Sequence, residues 1–241
     1  TPFHNAYLVD RLTDDLAADV RLFKQFLKGI GAYGSDLKTR GFSGYLTELL
    51  VLEYGGFENV LESAAAWHPP VRLDPEAHGT ATFDDPLVVI DPTDPERNVA
   101  AVVAPENVAR LQHHARAFLA APTEARFLPE EPSPLSVTEI RDYVTDRATT
   151  PLAIHFDPPD VVDDQLYPQL RRSLDGLVTG LERHGFEVFR GTVFADETAV
   201  LFLELAVPRL PAVERLEGPP VHVADHADTF LEKYDETDAY G

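Results

Sequence analysis

Residues 15–30 read DLAADVRLFKQFLKGI, and their apolar side chains recur at steps of four and three residues. These apolar positions are Leu16, Val20, Phe23, Leu27 and Ile30. Because an α-helix turns once every 3.6 residues, side chains at this spacing share one face. The stretch therefore predicts an amphipathic helix over residues 15–30 that buries one stripe in a helical core.

The same helix carries a second, cationic stripe, formed by Arg21, Lys24 and Lys28. The glycine-rich loop that follows brings Tyr33 back towards the helix end. Over residues 21–40, five cationic side chains face only one carboxylate. Two interpretations stay open: a site for a polyanion such as a triphosphate, or a solvated helix face whose cations are favoured by the helix dipole.

Three further helices are predicted from apolar residues at helical spacing. They cover residues 45–54, 57–67 and 105–119. The apolar run LVVI at residues 87–90 predicts a strand, and the prolines after it predict a turn over residues 91–98. Residues 1–121 are therefore expected to form a helical central domain. Residues 122–135 hold four prolines, which remove backbone donors and are typical of a linker.

Beyond the linker the spacing of apolar residues changes, and it predicts strands that alternate with helices. We predict a strand over residues 152–156, a helix over 165–184, a hairpin from 186–194 and 199–207, and a short helix over 211–216. This β-α-β-β-α order resembles a ferredoxin-like or RNA-recognition-like module. The predicted fold class is thus α+β: a helical domain, a small α/β body over residues 136–217, and the start of a truncated tail domain over residues 218–241.

The composition is strongly acidic, with 41 acidic and 20 basic residues and a net charge of −21. Nucleic-acid binding normally relies on Lys and Arg, so this charge argues against that class in dilute salt. At about 1 M salt the Debye length is only about 3 Å, and distant charges stop mattering. We therefore expect a halophilic source, in which the local charge pattern is more informative than the total.

The sequence contains no cysteine, which excludes disulfides, thiolate zinc sites and cysteine nucleophiles. It has no run of about 18 apolar residues and no signal-peptide pattern, so we expect a cytoplasmic protein without a membrane partner. The chain begins at Thr1 and contains no methionine, which we interpret as a piece of a longer protein.

Two groups of side chains have spacings that metal ions can use, one of aspartates and one of histidines with Asp225 and Asp228. Asp160, Asp163 and Asp164 suit a hard cation, although an acidic helix start after a Pro-Pro turn explains them as well. His222 and His226 have helical spacing but lack the glutamate of an HExxH motif, which favours a solvated surface. No metal ligand is therefore assigned in this chain.

Several segments resemble one protein family in their order and spacing. They are TPFH at residues 1–4, VRLFKQFLK at 20–28, YG at 33–34, RGFSGY at 40–45 with ELL at 48–50, DPTD at 91–94 with RNVAA at 97–101, and PDVVDDQLYPQL at 159–170. Together they span most of the chain and resemble the archaeal-type CCA-adding enzymes, the class I tRNA nucleotidyltransferases.

The resemblance implies four parts: a catalytic head, a helical neck, an α/β body and a tail. In that family the tRNA 3′ hydroxyl attacks the α-phosphate of CTP or ATP, and paired carboxylates of the head hold Mg²⁺. The head is expected to be missing here, so we assign no catalytic residue and expect the chain alone to be inactive. By the resemblance, His4, Lys24 and Tyr33, with Thr1 as a further candidate, contact the triphosphate, and Arg97 contacts the base.

The expected partners are tRNA, CTP, ATP, the head domain and a second copy in a homodimer. Body and tail are expected to hold the acceptor stem by shape, as A-form RNA requires. Alternatives stay open at two levels. Arg97 can instead pair with Asp94 or Glu96 within the predicted turn, and the whole chain can be a stand-alone RNA-binding or structural interaction module without chemistry.

Overall fold

The computed structural model describes residues 2–79, 81–129, 133–212, 215 and 217–236. Its helices are α1 (Pro2–Val9), α2 (Asp14–Gly29), α3 (Gly44–Tyr54), α4 (Phe57–Ala66), α5 (Pro105–Ala120), α6 (Val137–Arg147), α7 (Asp163–Arg183) and α8 (Ala224–Tyr234). Its strands are β1 (Val71–Leu73), β2 (Leu87–Asp91), β3 (Asp94–Asn98), β4 (Thr150–Phe156), β5 (Val188–Ala195) and β6 (Ala199–Leu205).

Helix α2 confirms the amphipathic helix predicted from the first stretch. It starts after Thr13, whose side chain accepts a hydrogen bond from the Leu16 amide, and its first turn carries two aspartates that suit the positive helix end. Phe23 and Leu27 on the predicted apolar stripe are fully buried in a core shared with α3, α4 and α5. These three helices lie where the apolar spacing predicts them.

Four phenylalanine rings close the helical domain on one side. The rings of Phe26, Phe57, Phe118 and Phe127 lie with their centroids 5.6 to 5.9 Å apart. Phe127 ends a short 3-10 helix, Glu124–Phe127, which falls within the proline-rich residues predicted as a linker. Aromatic packing of this kind binds the segment to α2 and α5, although prolines flank it.

A small sheet with the order β1-β2-β3 lies beside the helices; β2 is parallel to β1 and antiparallel to β3. The predicted strand over residues 87–90 is confirmed as β2, whereas β3 occupies residues predicted to form only a turn. The Asn98 side chain fixes β3, since it accepts from the Val89 amide at 2.9 Å and donates to the Leu87 carbonyl at 3.1 Å. Pro95 is tolerated because β3 is an edge strand.

The body contains an antiparallel sheet with the order β4-β6-β5. Strand β6 lies between β4 and β5, which gives the split β-α-β arrangement of the predicted module. Leu166, Leu170 and Leu174 of α7 pack with Leu201 and Leu203 of β6 in a second hydrophobic core. The predicted α+β class is thereby confirmed.

Helices α1, α6 and α8 are not predicted by the sequence analysis. None of the described residues of α6 or α8 is buried. Helix α6 begins with a capping box of Ser136 and Glu139, a local signal that can be recognised in the sequence. In the predicted short helix over 211–216, residues 211, 212 and 215 are not helical, and 213, 214 and 216 lie outside the described residues.

The acidic start of α7 contacts the loop after α2. The Leu37 amide donates to Asp164 at 2.8 Å, and Lys38 Nζ lies 3.4 Å from Asp163. Across the described ranges, no three His, Asp or Glu side chains converge as metal ligands. Asp163 and Asp164 thus have protein partners in the loop after α2. No helix in the described part of the chain combines the length and apolarity needed to cross a bilayer.

The body sheet also contains a buried carboxylate, Glu204 on β6. Thr149 Oγ1 donates to it at 2.5 Å, Arg147 lies 3.4 Å away, and Arg190 also forms an ion pair with it. The hydrogen bond from Thr149, followed by the two arginines, holds the pKa of Glu204 below its ordinary value. The carboxylate therefore joins the end of α6 to the sheet.

This lowered pKa predicts a contribution to acid sensitivity. A group whose pKa falls on folding stabilises the protein above its unfolded pKa, and that stabilisation is lost as the pH falls through the folded value. Glu204→Gln should lower the melting temperature at pH 7. It should also reduce the fall in melting temperature that occurs as the pH drops below about 4.3. Circular dichroism melting checks this against Glu182→Gln, an exposed change on α7. Equal acid sensitivity of both variants would contradict it.

Candidate functional site

A polar cluster in the helical domain surrounds Asp91, which is fully buried at the end of β2. Its Oδ1 accepts from the Thr93 amide and hydroxyl, each at 2.9 Å, and from the Tyr45 hydroxyl at 3.2 Å. Its Oδ2 lies 3.0 Å from His4 Nε2 and 3.2 Å from Arg97 Nη1. Burial opposes ionisation, yet Thr93, His4 and Tyr45 together hold the pKa of Asp91 below its ordinary value.

Asp91 thus holds two residues that the family resemblance singles out, His4 and Arg97. The His4 ring stacks on Tyr45, with centroids 4.0 Å apart and planes 10° apart. His4 Nε2 and Arg97 Nη1 are 3.4 Å apart. The Arg97 side chain is 50% exposed, so one edge of its guanidinium is anchored while the rest reaches solvent. The alternative pairing of Arg97 with Asp94 or Glu96 is wrong, because its carboxylate partner is Asp91.

Lys24 and Tyr33 meet at the first turn of α3. A methyl group added to Gly44 would lie 3.4 Å from Tyr33 Oη and 3.7 Å from Lys24 Nζ. Lys28 Nζ lies 5.3 Å from the centroid of the Tyr33 ring. At Lys24, the cationic stripe of α2 therefore faces the N-terminus of α3. The interpretation as a purely solvated helix face does not describe Lys24.

The N-terminus of α3 has the features of an anion site. Its first turn holds no acidic residue, and the Ser43 side chain accepts from the Leu46 amide. The free amides and the dipole of such a helix end favour a phosphate group. Glu48, one turn further along, pairs with Lys24 at 2.6 Å, so the cation is balanced before any ligand arrives.

The two groups of residues are joined through consecutive positions of one helix. Gly44 lies against Lys24 and Tyr33, and the next residue, Tyr45, lies against His4 and Asp91. Four of the five predicted site residues are thus brought to the start of α3, whereas Thr1 lies outside the described residues.

Asp91, Tyr45 and Glu48 are members of the site that sequence reasoning missed. Asp91 was assigned to a proline-rich turn, although it directly follows the uninterrupted apolar run at residues 87–90. A charged residue at the end of a buried strand is rarely buried unless it is paired. The position of Asp91 directly after the apolar run was therefore the signal that it has partners. Tyr45 and Glu48 occupy a nearly all-apolar helix, where a polar atom also needs a partner.

Two family descriptions match consecutive parts of the chain. "tRNA nucleotidyltransferase, second domain" covers residues 18–128, and "CCA-adding enzyme, C-terminal domain" covers residues 147–240. The chain belongs to the CCA-adding enzyme family. The second-domain match contains Lys24, Tyr33 and Arg97, and the C-terminal match contains the whole body sheet.

Relatives named CCA-adding enzyme support the same membership. The protein from Halobacterium salinarum is 62% identical over 242 residues, covering 100% of this chain and 54% of the relative. The Haloarcula marismortui protein is 59% identical, covering 98% of this chain and 54% of the relative, and the Methanosarcina mazei protein is 42% identical, covering 98% and 52%. The chain spans about half the length of these relatives. The predicted halophilic source fits the first two.

Proposed function

We propose that the chain is the part of a CCA-adding enzyme that forms one wall of the nucleotide site and binds RNA. The observation that carries this proposal is the start of α3, where Gly44 lies against Lys24 and Tyr33 and the next residue, Tyr45, lies against the Asp91 cluster that holds His4 and Arg97. In this proposal the whole protein adds CCA to the 3′ end of tRNA from CTP and ATP. Body and tail hold the acceptor stem.

In the proposed site, the triphosphate lies against the N-terminus of α3. Lys24 then leaves Glu48 for a phosphate oxygen, and the Tyr33 hydroxyl donates to a second oxygen. Helix amides complete the anion site because the first turn of α3 carries no competing carboxylate. His4, held by Asp91 and Tyr45, is the third proposed contact to the triphosphate.

Arg97 is proposed to contact the base. Its guanidinium is planar and offers several donors, so it matches base acceptors such as the cytosine carbonyl in a fixed geometry. The ion pair to Asp91 sets the orientation of that plane, and the half-exposed edge remains available. Selection between C or A and the other bases then depends on how firmly Asp91 holds Arg97.

Mg²⁺ is proposed to be a cofactor of the complete protein, where it would stabilise the attacking and leaving oxygens. The described residues do not fit this ion: no three carboxylate or imidazole groups converge, and both Asp91 oxygens are occupied by protein donors. Following the family resemblance, we propose that the head domain holds this ion. That head, a homodimer partner and tRNA are the proposed macromolecular partners.

Lys24→Ala is expected to weaken the binding of CTP and ATP alike, by about 1 to 3 kcal/mol, because a charged hydrogen bond to phosphate is lost. Steady-state kinetics of the complete protein with each nucleotide measures this. Arg21→Ala is the control, since Arg21 is exposed one turn earlier on α2. An effect on only one nucleotide would mean that Lys24 reads bases, which contradicts its proposed role.

Arg97→Ala is expected to raise the incorporation of U or G, since the anchored base contact is removed. Sequencing the 3′ ends of the tRNA products measures the error. Arg97→Lys should make errors similarly, because lysine keeps the charge but not the planar fork. If Arg97→Ala leaves the product sequence unchanged and Lys24→Ala leaves both nucleotides unaffected, the stand-alone RNA-binding module becomes the better function.

A further inference from the structure

The start of α3 holds an ion pair between Lys24 and Glu48. Lys24 Nζ and Glu48 Oε1 are 2.6 Å apart, and each side chain is 25% exposed. A methyl group added to Gly44 would lie 3.7 Å from the same Nζ atom. Glu48 follows Gly44 by four residues, which places both on one face of α3. The cation proposed to hold phosphate therefore already has a carboxylate partner beside the helix N-terminus.

Among the three cations of the stripe on α2, Lys24 alone has a carboxylate partner in the described part of the chain. Arg21 and Lys28 are exposed, whereas Lys24 is partly buried. Glu48 is the first acidic residue of α3, since the first turn of that helix carries none. A single negative charge is thus placed against the one cation that meets the helix N-terminus.

Glu48 and a phosphate group compete for this ammonium group. Lysine has three N–H donors but only one positive charge. A phosphate oxygen within hydrogen-bond distance of Lys24 comes close to the Glu48 carboxylate, and like charges at such a distance repel each other. Concentrated salt does not remove this repulsion, because partly buried charges in contact are screened far less than distant ones. In the proposed site the ion pair therefore opposes the binding of any polyphosphate.

Pyrophosphate is one of the polyphosphates that this competition affects. The reaction proposed for the complete protein releases it, and it keeps the β and γ phosphates of the nucleotide. An ammonium group that holds either phosphate in the nucleotide therefore holds it in pyrophosphate as well. Interactions that bind substrate and transition state equally do not speed the chemical step, and product release limits turnover in many enzymes. A carboxylate that takes the ammonium group back favours release.

We propose that Glu48 is a positioning residue that acts through Lys24 and promotes the release of pyrophosphate. It gives up the ammonium group when the nucleotide binds and takes it back after the reaction. No covalent bond forms or breaks at Glu48, because one ion pair of Lys24 is exchanged for another. The inference rests on the proposed function, in which Lys24 contacts the triphosphate. It adds that the carboxylate beside Lys24 weakens nucleotide binding and speeds product release.

The test compares Glu48→Gln with the parent sequence in the complete protein. Glutamine has the size of glutamate and keeps an oxygen that accepts from Lys24, but it has no charge. Titration calorimetry gives the dissociation constants of CTP and of pyrophosphate, and stopped-flow fluorescence with a pyrophosphate-coupled sensor gives the rate of release. Glu53→Gln is the matched control, because it removes one exposed carboxylate from the same helix.

Glu48→Gln is expected to lower both dissociation constants about fivefold and to slow pyrophosphate release by a similar factor, since the competing charge is lost. Glu53→Gln should change none of these quantities. A purely structural ion pair predicts the opposite sign, because a lysine without its partner is held less firmly and binds phosphate less well. Unchanged or weaker binding, or release as fast as in the parent, would therefore overturn the inference.

Two further variants separate this inference from the proposed function. In a protein that also carries Lys24→Ala, Glu48→Gln should have no effect on binding or release, because it acts through Lys24. If Lys24→Ala by itself leaves the binding of CTP and pyrophosphate unchanged, the proposed role of Lys24 fails together with the inference. If Lys24→Ala weakens both but Glu48→Gln strengthens neither, the inference alone fails.

Glu48→Asp carries the test if circular dichroism shows that Glu48→Gln is not folded. Aspartate keeps the charge on a side chain shorter by one methylene, so it holds Lys24 less closely. Both dissociation constants and the release rate should then fall, but by less than with glutamine. Values equal to those of the parent, or weaker binding, would overturn the inference.

Discussion

Incubated with CTP, ATP, Mg²⁺ and a tRNA that lacks its 3′ end, the 241-residue chain is expected to incorporate no detectable CMP or AMP. Phosphoryl transfer depends on positioning and on metal-held charge beside the α-phosphate. Within the described residues, no carboxylate cluster offers such a metal site. In the proposed function the chain contributes contacts to the nucleotide, and the groups that accelerate the reaction belong to the head.

Binding of nucleotide by the chain alone should also be weak. Lys24 is already paired with Glu48 at 2.6 Å, so a triphosphate must displace that carboxylate. The Arg97 side chain is 50% exposed, and a contact made in water is screened far more than one made in a closed site. Any residual affinity is expected to be independent of Mg²⁺, which titration calorimetry with and without the ion measures.

Adding back the other half of the protein provides the control. The portion of the Halobacterium salinarum relative that this chain does not match, supplied as a separate polypeptide, is expected to restore labelled CMP and AMP incorporation. Activity of the chain by itself would contradict the assignment of chemistry to a separate head. The first residues to examine would then be Asp160, Asp163 and Asp164, the acidic group considered for a hard cation.

The parts of the site that local sequence predicts are Lys24 on α2 and Tyr33 in the loop after it. Lys24 lies one helical turn from Arg21 and from Lys28, so these three cations share one face of α2. A loop with several glycines then brings Tyr33 back beside Lys24. Helical spacing and charge are both visible within about 20 residues of the chain. The family resemblance was needed for His4 and Arg97, since nothing in their immediate sequence marks them as binding residues.

The Asp91 cluster could not be predicted in the same way because it joins residues of four elements, and His4 and Tyr45 lie far from Asp91 in the chain. Asp91 meets His4 from α1, Tyr45 from α3 and Arg97 from β3. Reasoning from nearest neighbours pairs Arg97 with Asp94 or Glu96, which lie within three residues of it. Tertiary structure selects Asp91 instead, because that carboxylate is buried and needs charged and hydrogen-bonding partners.

Tertiary contacts also override the local sequence signals around Phe127 and in β3. Proline content predicts a linker around Phe127 and a turn around Pro95, and both local tendencies are real. At Phe127 the burial of an aromatic ring against Phe26 outweighs them. At β3 the side chain of Asn98 supplies hydrogen bonds that an exposed turn would have left to water.

Asp91→Asn is expected to reduce nucleotide incorporation by the complete protein about 100-fold while leaving the fold intact. Asparagine has the size of aspartate, and its side-chain oxygen can still accept from Thr93 and Tyr45. The negative charge that holds His4 and Arg97 together is lost, however, and their nitrogens lie only 3.4 Å apart. A guanidinium beside an imidazole without a shared carboxylate moves away, and misplacement of a binding group by about 1 Å costs about 10²-fold in rate.

Single-turnover kinetics and circular dichroism melting together separate this effect from unfolding. The matched control is Asp94→Asn, which removes one carboxylate from the same hairpin but does not contact His4 or Arg97. Asp91→Asn should also add U or G more often, because a released Arg97 no longer presents its plane to the base. If Asp91→Asn adds nucleotides as fast and as accurately as Asp94→Asn, then Asp91 does not position either residue. The start of α3 would in that case lose the anchor on which the proposed base contact depends.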